Sequence, residues 1–156
     1  MQQLRIAGLV KESVVDGPGV RFTIFAQGCA LRCVGCHNPD THDLAGGYLV
    51  GINELFNAIN QGKLITGVTF SGGEPFLQAT ACAQLAKLIK QKRPDLNILS
   101  YSGYYYVDLL KMAETNPDII VFLKQLDILI EGPYEIARRD LDLAFRGSSN
   151  QNIMLL

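Results

Sequence analysis

The sequence predicts an α/β chain, folded as an open, partial (β/α) barrel around a mostly parallel sheet. Three observations lead there. Strand-like apolar segments alternate with helix-like ones, which implies a sheet covered by helices. There are too few such units to close an eight-stranded barrel. The polar, glycine-rich stretches that carry reactive side chains follow predicted strands, where ligands sit in sheets of this kind. A chain of 156 residues fits one domain with a core of its own.

In chain order, residues 4–10 are short, apolar and β-like, and Asp16-Gly17-Pro18-Gly19 marks 13–19 as a turn. Residues 20–25 alternate and read as a strand. Residues 28–47 form a long irregular stretch rich in Gly, Asn, Asp and Pro, of a length that is functional when it carries reactive groups. Asn53 is placed to cap a helix over 54–60, with Leu55, Phe56 and Ile59 as its buried side and Gly62 as its stop. A buried strand at 67–70 runs into Ser71-Gly72-Gly73-Glu74-Pro75. A helix over 80–92 sets Leu85, Leu88 and Ile89 on one face, and Pro94-Asp95 breaks it.

Beyond that break the pattern predicts a strand at 96–101, a helix at 107–114 and strands at 118–122 and 126–130. The last two are so close that one is expected to be partly irregular. A polar turn at 146–151 precedes the apolar residues 153–156. The cysteine loop, Gly72-Gly73-Glu74, Ser102-Gly103-Tyr104 and the neighbourhood of Asp127 are therefore expected to converge on one edge of the sheet. No repeat, low-complexity segment or linker divides the chain.

A formal net charge of -1 argues against a nucleic-acid partner held by a basic surface. Lys87, Lys90, Lys92 and Arg93 read as the solvated face and end of a helix, and Arg138/Arg139 likewise as solvated charge. No apolar run approaches the roughly 20 residues that span a bilayer, so no membrane association is expected. The first residues do not read as an export signal. A reducing cytoplasm is the expected setting, and clustered cysteines there point to metal or redox chemistry rather than disulfides.

Cys29-Ala30-Leu31-Arg32-Cys33-Val34-Gly35-Cys36 gathers three of the four cysteines. Thiolates crowded this closely repel one another unless a metal centre holds them. A structural zinc site is closed by four protein ligands, whereas three thiolates can hold a four-iron cluster and leave one iron open to a small molecule. Cys82, amid small and apolar residues, reads as a buried inert thiol. Two rival readings use the same residues. Cys33-Val34-Gly35-Cys36-His37 matches a haem attachment signature but leaves Cys29 idle. Zinc bound by Cys29, Cys33, Cys36 and either His37 or His42 would make a non-catalytic binding module, and it ignores residues 72–75.

The C-x3-C-x2-C spacing, followed by Gly72-Gly73-Glu74-Pro75, resembles the radical S-adenosylmethionine (SAM) enzymes. Asp16-Gly17-Pro18-Gly19-Val20-Arg21, Gln27-Gly28-Cys29 and Cys36-His37-Asn38-Pro39-Asp40-Thr41 narrow this to the glycyl-radical-enzyme activases. Tyr101-Ser102-Gly103-Tyr104, Asp127 with Glu131-Gly132-Pro133-Tyr134, and Arg146-Gly147-Ser148-Ser149-Asn150-Gln151 resemble the subgroup that activates anaerobic (class III) ribonucleoside-triphosphate reductases. The alternative within this class is an activase of the pyruvate formate-lyase type.

The resemblance implies one [4Fe-4S] cluster per chain, held by Cys29, Cys33 and Cys36, with SAM chelating the open iron. The backbone of Gly72, Gly73 and Glu74 would hold the methionine end, since a ligand can approach glycine backbone closely. Reductive cleavage of SAM would give a 5′-deoxyadenosyl radical that takes hydrogen from a glycine of the reductase. The protein then supplies geometry, a dry site and a tuned cluster, and no general acid or base is expected. A large protein substrate and an electron donor such as reduced flavodoxin are the implied partners. Many superfamily members carry an aromatic residue where this chain has Gly35, which leaves the adenine contact open, with His37 a candidate. Ser102 is a candidate hydrogen-bond donor to SAM. Asp127, a charge inside an apolar strand, needs a partner, which is SAM or a cation on one reading and a salt bridge on the other. Asp16 and Arg21 are candidates for docking the substrate segment, or else a turn and strand-end charge pair. Ser148 and Asn150 either shape the site or end the fold.

Overall fold

A computed structural model describes residues 2–31, 33, 35 and 39–156. Cys36 and His37 lie outside the described residues. Among the described residues, seven strands form one sheet: β1 (Gln3–Ser13), β2 (Arg21–Ala26), β3 (Tyr48–Gly51), β4 (Gly67–Gly72), β5 (Asn97–Tyr101), β6 (Ile128–Glu131) and β7 (Asn152–Leu155), in the spatial order β3-β1-β2-β4-β5-β6-β7. The central β2, β4, β5 and β6 run parallel. Antiparallel strands β1 and β3 extend one edge and β7 the other, leaving the sheet open. This is the α/β partial barrel the strand and helix pattern predicts.

Alternation divides the sheet into two faces. Phe22, Ile24, Val68, Phe70 and Ile98 point into the main core, against α1 (Ile52–Asn60), α2 (Ala79–Lys92), α3 (Tyr106–Met112) and α4 (Asp118–Gln125). Arg21, Thr23, Thr69, Leu99 and Tyr101 alternate with them onto the concave face. There Leu99, Ile128 and Ile130 pack with Tyr101 and Phe145 in a smaller apolar cluster. The turn at 14–20 folds over this face, where a Cβ on Gly17 would meet Leu99 at 2.9 Å and Arg21 at 2.8 Å.

Three local expectations differ from the structure. Residues 118–122 belong to helix α4, not a strand. Ile119, Ile120 and Val121 carry β propensity, but Ile119, Phe122 and Leu123 bury one helical face, and Phe122 stacks edge-on with Phe70 at 5.1 Å between ring centroids. Packing outweighs propensity there. Helix α1 starts one residue before Asn53, behind Gly51, with no side-chain cap; the Ile52 amide instead donates to the carbonyl of Gln2, the residue just before β1, at 3.3 Å. The sequence pattern predicts neither of the short edge strands β3 and β7, because a four-residue strand carries too little periodicity to read.

Candidate cofactor site

All four central strands deliver their carboxyl ends to one cavity of about 380 Å³. Cys29 follows β2, Gly72, Gly73 and Glu74 follow β4, Ser102 and Gly103 follow β5, and Gly132 and Tyr134 follow β6. This placement is a direct result of parallel pairing, which sends every loop after a strand to the same edge.

The cysteine loop is held by backbone bonds that continue the sheet. Gly73 N–H donates to the Ala26 carbonyl at 2.7 Å and Glu74 N–H to that of Gly28 at 2.8 Å. The returning limb of the loop closes on the other side, with Gly28 N–H on the Thr41 carbonyl at 2.6 Å and Cys29 N–H on that of His42 at 3.2 Å. The buried Gln27 amide staples this limb, donating to the carbonyls of Asp40 at 3.0 Å and Asp43 at 2.7 Å. Sequence reasoning noted Gln27 only as part of a motif; its position in the loop's throat depends on contacts across the fold.

Cys29 is buried, Cys33 is half-buried, both line the cavity, and neither is in a disulfide. The third expected ligand, Cys36, and the adenine candidate His37 lie outside the described residues. His42 lines the same cavity, and its Nε2 is buried with no hydrogen-bond partner among the described residues. Two thiols and an unsatisfied imidazole nitrogen suit an iron–sulfur cluster, which takes thiolate ligands and has sulfurs that accept hydrogen bonds. Among the described residues no group of three or more His, Cys, Asp and Glu is gathered as a metal site.

The glycines of the second motif also answer a packing requirement. Gly72 has φ +90°, and a Cβ there would lie 2.6 Å from the backbone N and O of Ala26. On Gly73 it would lie 2.4 Å from the Gly28 carbonyl oxygen. Close approach of the cysteine loop already requires both glycines. Glu74 is fully buried and clamps two loops. Its carboxylate accepts from Gly103 N–H at 2.7 Å, Phe76 N–H at 3.1 Å and the Ser102 hydroxyl at 3.1 Å. Burial nevertheless pushes its carboxyl from 4.5 up to about 7 against those donors. Ser102 thus lines the cavity with its hydroxyl committed to Glu74, and that oxygen also accepts from Tyr104 N–H at 3.0 Å.

Other candidates separate clearly. Asp16 lines the cavity, with its carboxylate on the Ser13 hydroxyl at 2.5 Å. Arg21 does not. It starts β2 at the opposite, amino end of the sheet, 1% exposed, donating to Thr69 Oγ1 at 2.6 Å, the Pro18 carbonyl at 2.9 Å and Asn97 Oδ1 at 2.8 Å. Asp127 also lies at the amino end, just before β6 rather than after a strand. It pairs with Lys90 at 2.6 Å and accepts from Ile98 N–H at 2.8 Å. Of the two partners open to Asp127, the structure supplies the salt bridge, and Asp127 does not join the cavity.

Residues 146–151 pack against the loop after β6. Ser148 accepts from Glu135 N–H at 3.2 Å, Asn150 Nδ2 donates to the Pro133 carbonyl at 2.8 Å, and Gln151 Nε2 donates to that of Gly132 at 3.1 Å. Ser148 and Asn150 therefore brace a cavity wall, while Arg146, Gly147 and Gln151 line it. Beside Gly35, a Cβ would meet Ile136 at 2.8 Å and Tyr134 at 3.4 Å, so the missing side chain makes room for that same loop.

The model of the 4Fe-4S single cluster domain family matches residues 15–154. The anaerobic ribonucleoside-triphosphate reductase-activating protein of Vibrio cholerae is 34% identical over 146 residues, covering 90% of this chain and 90% of that protein. The protein of that name from Escherichia coli K12 is 30% identical, over 88% of this chain and 90% of its own length. The pyruvate formate-lyase-activating enzyme of Clostridium pasteurianum is 36% identical over 79% of this chain, yet the match spans only 53% of that enzyme. The crystal structure of QueE from Escherichia coli superposes with a TM-score of 0.47 and 20% identity, over 65% of this chain and 52% of that one.

Proposed function

The chain belongs to the 4Fe-4S single cluster domain family and to the anaerobic ribonucleoside-triphosphate reductase-activating proteins, and we propose that it installs a glycyl radical on such a reductase. It is an activating enzyme of the radical SAM type. The observation that carries the proposal is the meeting of Cys29 and Cys33 with Gly72, Gly73 and Glu74 in one cavity at the ends of adjacent parallel strands.

In this reading Cys29, Cys33 and Cys36 hold the cluster, and the edge formed by Gly72 and Gly73 orients SAM beside it. When bound, the cluster and SAM supply a one-electron cleavage of a carbon–sulfur bond and a carbon-centred radical able to take hydrogen from a glycine. The chain's own contribution is placement and exclusion of water. Glu74 fixes the loops after β4 and β5 against each other, Ser102 completes that clamp, and Tyr101 closes the floor on the concave face. Asp16, at the cavity wall, is the residue proposed to meet the substrate segment. A one-electron donor of the reduced flavodoxin kind completes the system by resemblance. An activase of the pyruvate formate-lyase type is the second reading, and the matched lengths favour the first, at 90% of the relative against 53%.

The test is anaerobic reconstitution followed by EPR of the reduced protein with and without SAM, then incubation with an anaerobic reductase. A four-iron signal that changes on adding SAM, and a glycyl radical doublet on the reductase, are expected. Stoichiometric zinc with no iron signal would overturn the radical reading. A cluster that responds to SAM, with no doublet on the reductase and one on pyruvate formate-lyase, would reassign the partner.

A further inference from the structure

We propose that His42 donates a hydrogen bond from Nε2 to a sulfur of the cluster and so raises its reduction potential; the proposal rests on the cluster assignment above. Two independent observations converge on this side chain. First, Nε2 is buried and has no hydrogen-bond partner among the described residues, an unfavourable state when nothing compensates it. Second, His42 is one of the residues lining the cavity that Cys29 and Cys33 line, and its carbonyl accepts the Cys29 amide at 3.2 Å. The backbone therefore fixes His42 relative to a thiol expected to ligate iron, while the staple from Gln27 to Asp40 and Asp43 holds its limb of the loop on both sides.

Chemistry selects the direction of the bond. Cluster sulfides and cysteine thiolates only accept, so the partner nitrogen must carry the proton. A donor to sulfur favours the form with the extra electron, because reduction adds negative charge to the cluster. His42 is thus a positioning and tuning residue. It is distinct from a fourth ligand, which would close the iron that SAM needs.

The experiment is an EPR-monitored titration with dithionite of the reconstituted protein without SAM, comparing wild type with His42→Phe and His42→Gln. Circular dichroism and iron content serve as controls. His42→Phe keeps an aromatic of similar shape without the donor, and a more negative midpoint is expected at unchanged iron content. His42→Gln keeps an N–H donor and is expected near the wild-type midpoint. A His42→Phe midpoint equal to that of wild type overturns the proposal. So do folded variants that both lose iron, since the imidazole would then be a ligand. Should His42→Phe not fold, His42→Leu takes its place in the same comparison. Absence of a four-iron signal in the wild type is a different failure, that of the cluster assignment.

Discussion

The Glu74 carboxylate and the Gly103 amide meet at 2.7 Å, joining the loop after β4 to the loop after β5 at the rim of the cavity. The contact spans 29 residues of sequence, and both partners are needed for the shape of the wall.

Glu74 gives a pH dependence of defined sign. Its folded-state carboxyl is raised from 4.5 to about 7, chiefly by burial. The native state therefore holds this proton more tightly than the unfolded chain. The associated stability is fully present below pH 4.5 and is lost as pH rises through about 7, a change of about 3–4 kcal/mol at 1.4 kcal/mol per unit. Glu74→Gln removes the titration. Denaturant unfolding of both proteins across pH 5 to 8 is expected to show wild type losing stability relative to the variant; parallel curves would exclude Glu74 as the source.

Gly72→Ala is expected to destabilise the fold by about 3 kcal/mol, combining a strained positive φ with a backbone collision. The Cβ would enter the 2.6 Å space against Ala26, so the cysteine loop must shift with it. Thermal unfolding reads the loss, and iron bound per chain after reconstitution should fall as well. A variant as stable as wild type would show that the two segments can separate freely.

The two charged groups at the amino end of the sheet are expected to affect stability and leave the cluster alone. Asp127→Ala removes a partly exposed ion pair with Lys90 and the acceptor for Ile98 N–H, at a cost of about 1 kcal/mol. Arg21→Met strands the acceptors on Thr69, Val68 and Asn97, at a cost of about 3 kcal/mol. Calorimetry measures both losses. A SAM-induced EPR change that disappears in folded Asp127→Ala would return Asp127 to the site.

Cysteine replacement separates ligand from core. Cys33→Ala is expected to abolish cluster-dependent SAM cleavage, because it removes a thiol from the cavity. Cys82 is fully buried in α2 with its thiol toward the Pro75 carbonyl at 3.5 Å, and burial pushes that thiol's ionisation upward. Cys82→Ala should keep full iron content. Iron and sulfide analysis of the two variants decides, and loss of iron in Cys82→Ala would contradict the assignment.

The sequence by itself determined the family and the layout. The cysteine spacing, the Gly-Gly-Glu-Pro segment and the alternation of apolar periods are local properties, readable because neighbouring residues carry them. They were enough for the parallel core, the cavity at the carboxyl ends of its strands and the family. Only the tertiary structure decided which polar residues enter that cavity. Asp127 and Arg21 look like site residues in one dimension, yet each sits at the start of its strand and finds partners at the opposite end of the sheet. In one dimension His42 reads only as a candidate zinc ligand and Gln27 only as part of a motif, and both take their places because the loop folds back beside Cys29. Helix α4 shows the same limit, since a β-branched run takes helical form when Phe122 has Phe70 and Phe76 to pack on. The physical reason is common to all of them. Burial and hydrogen-bond partners are set by residues distant in the chain, and their energies exceed the local preferences that a sequence displays.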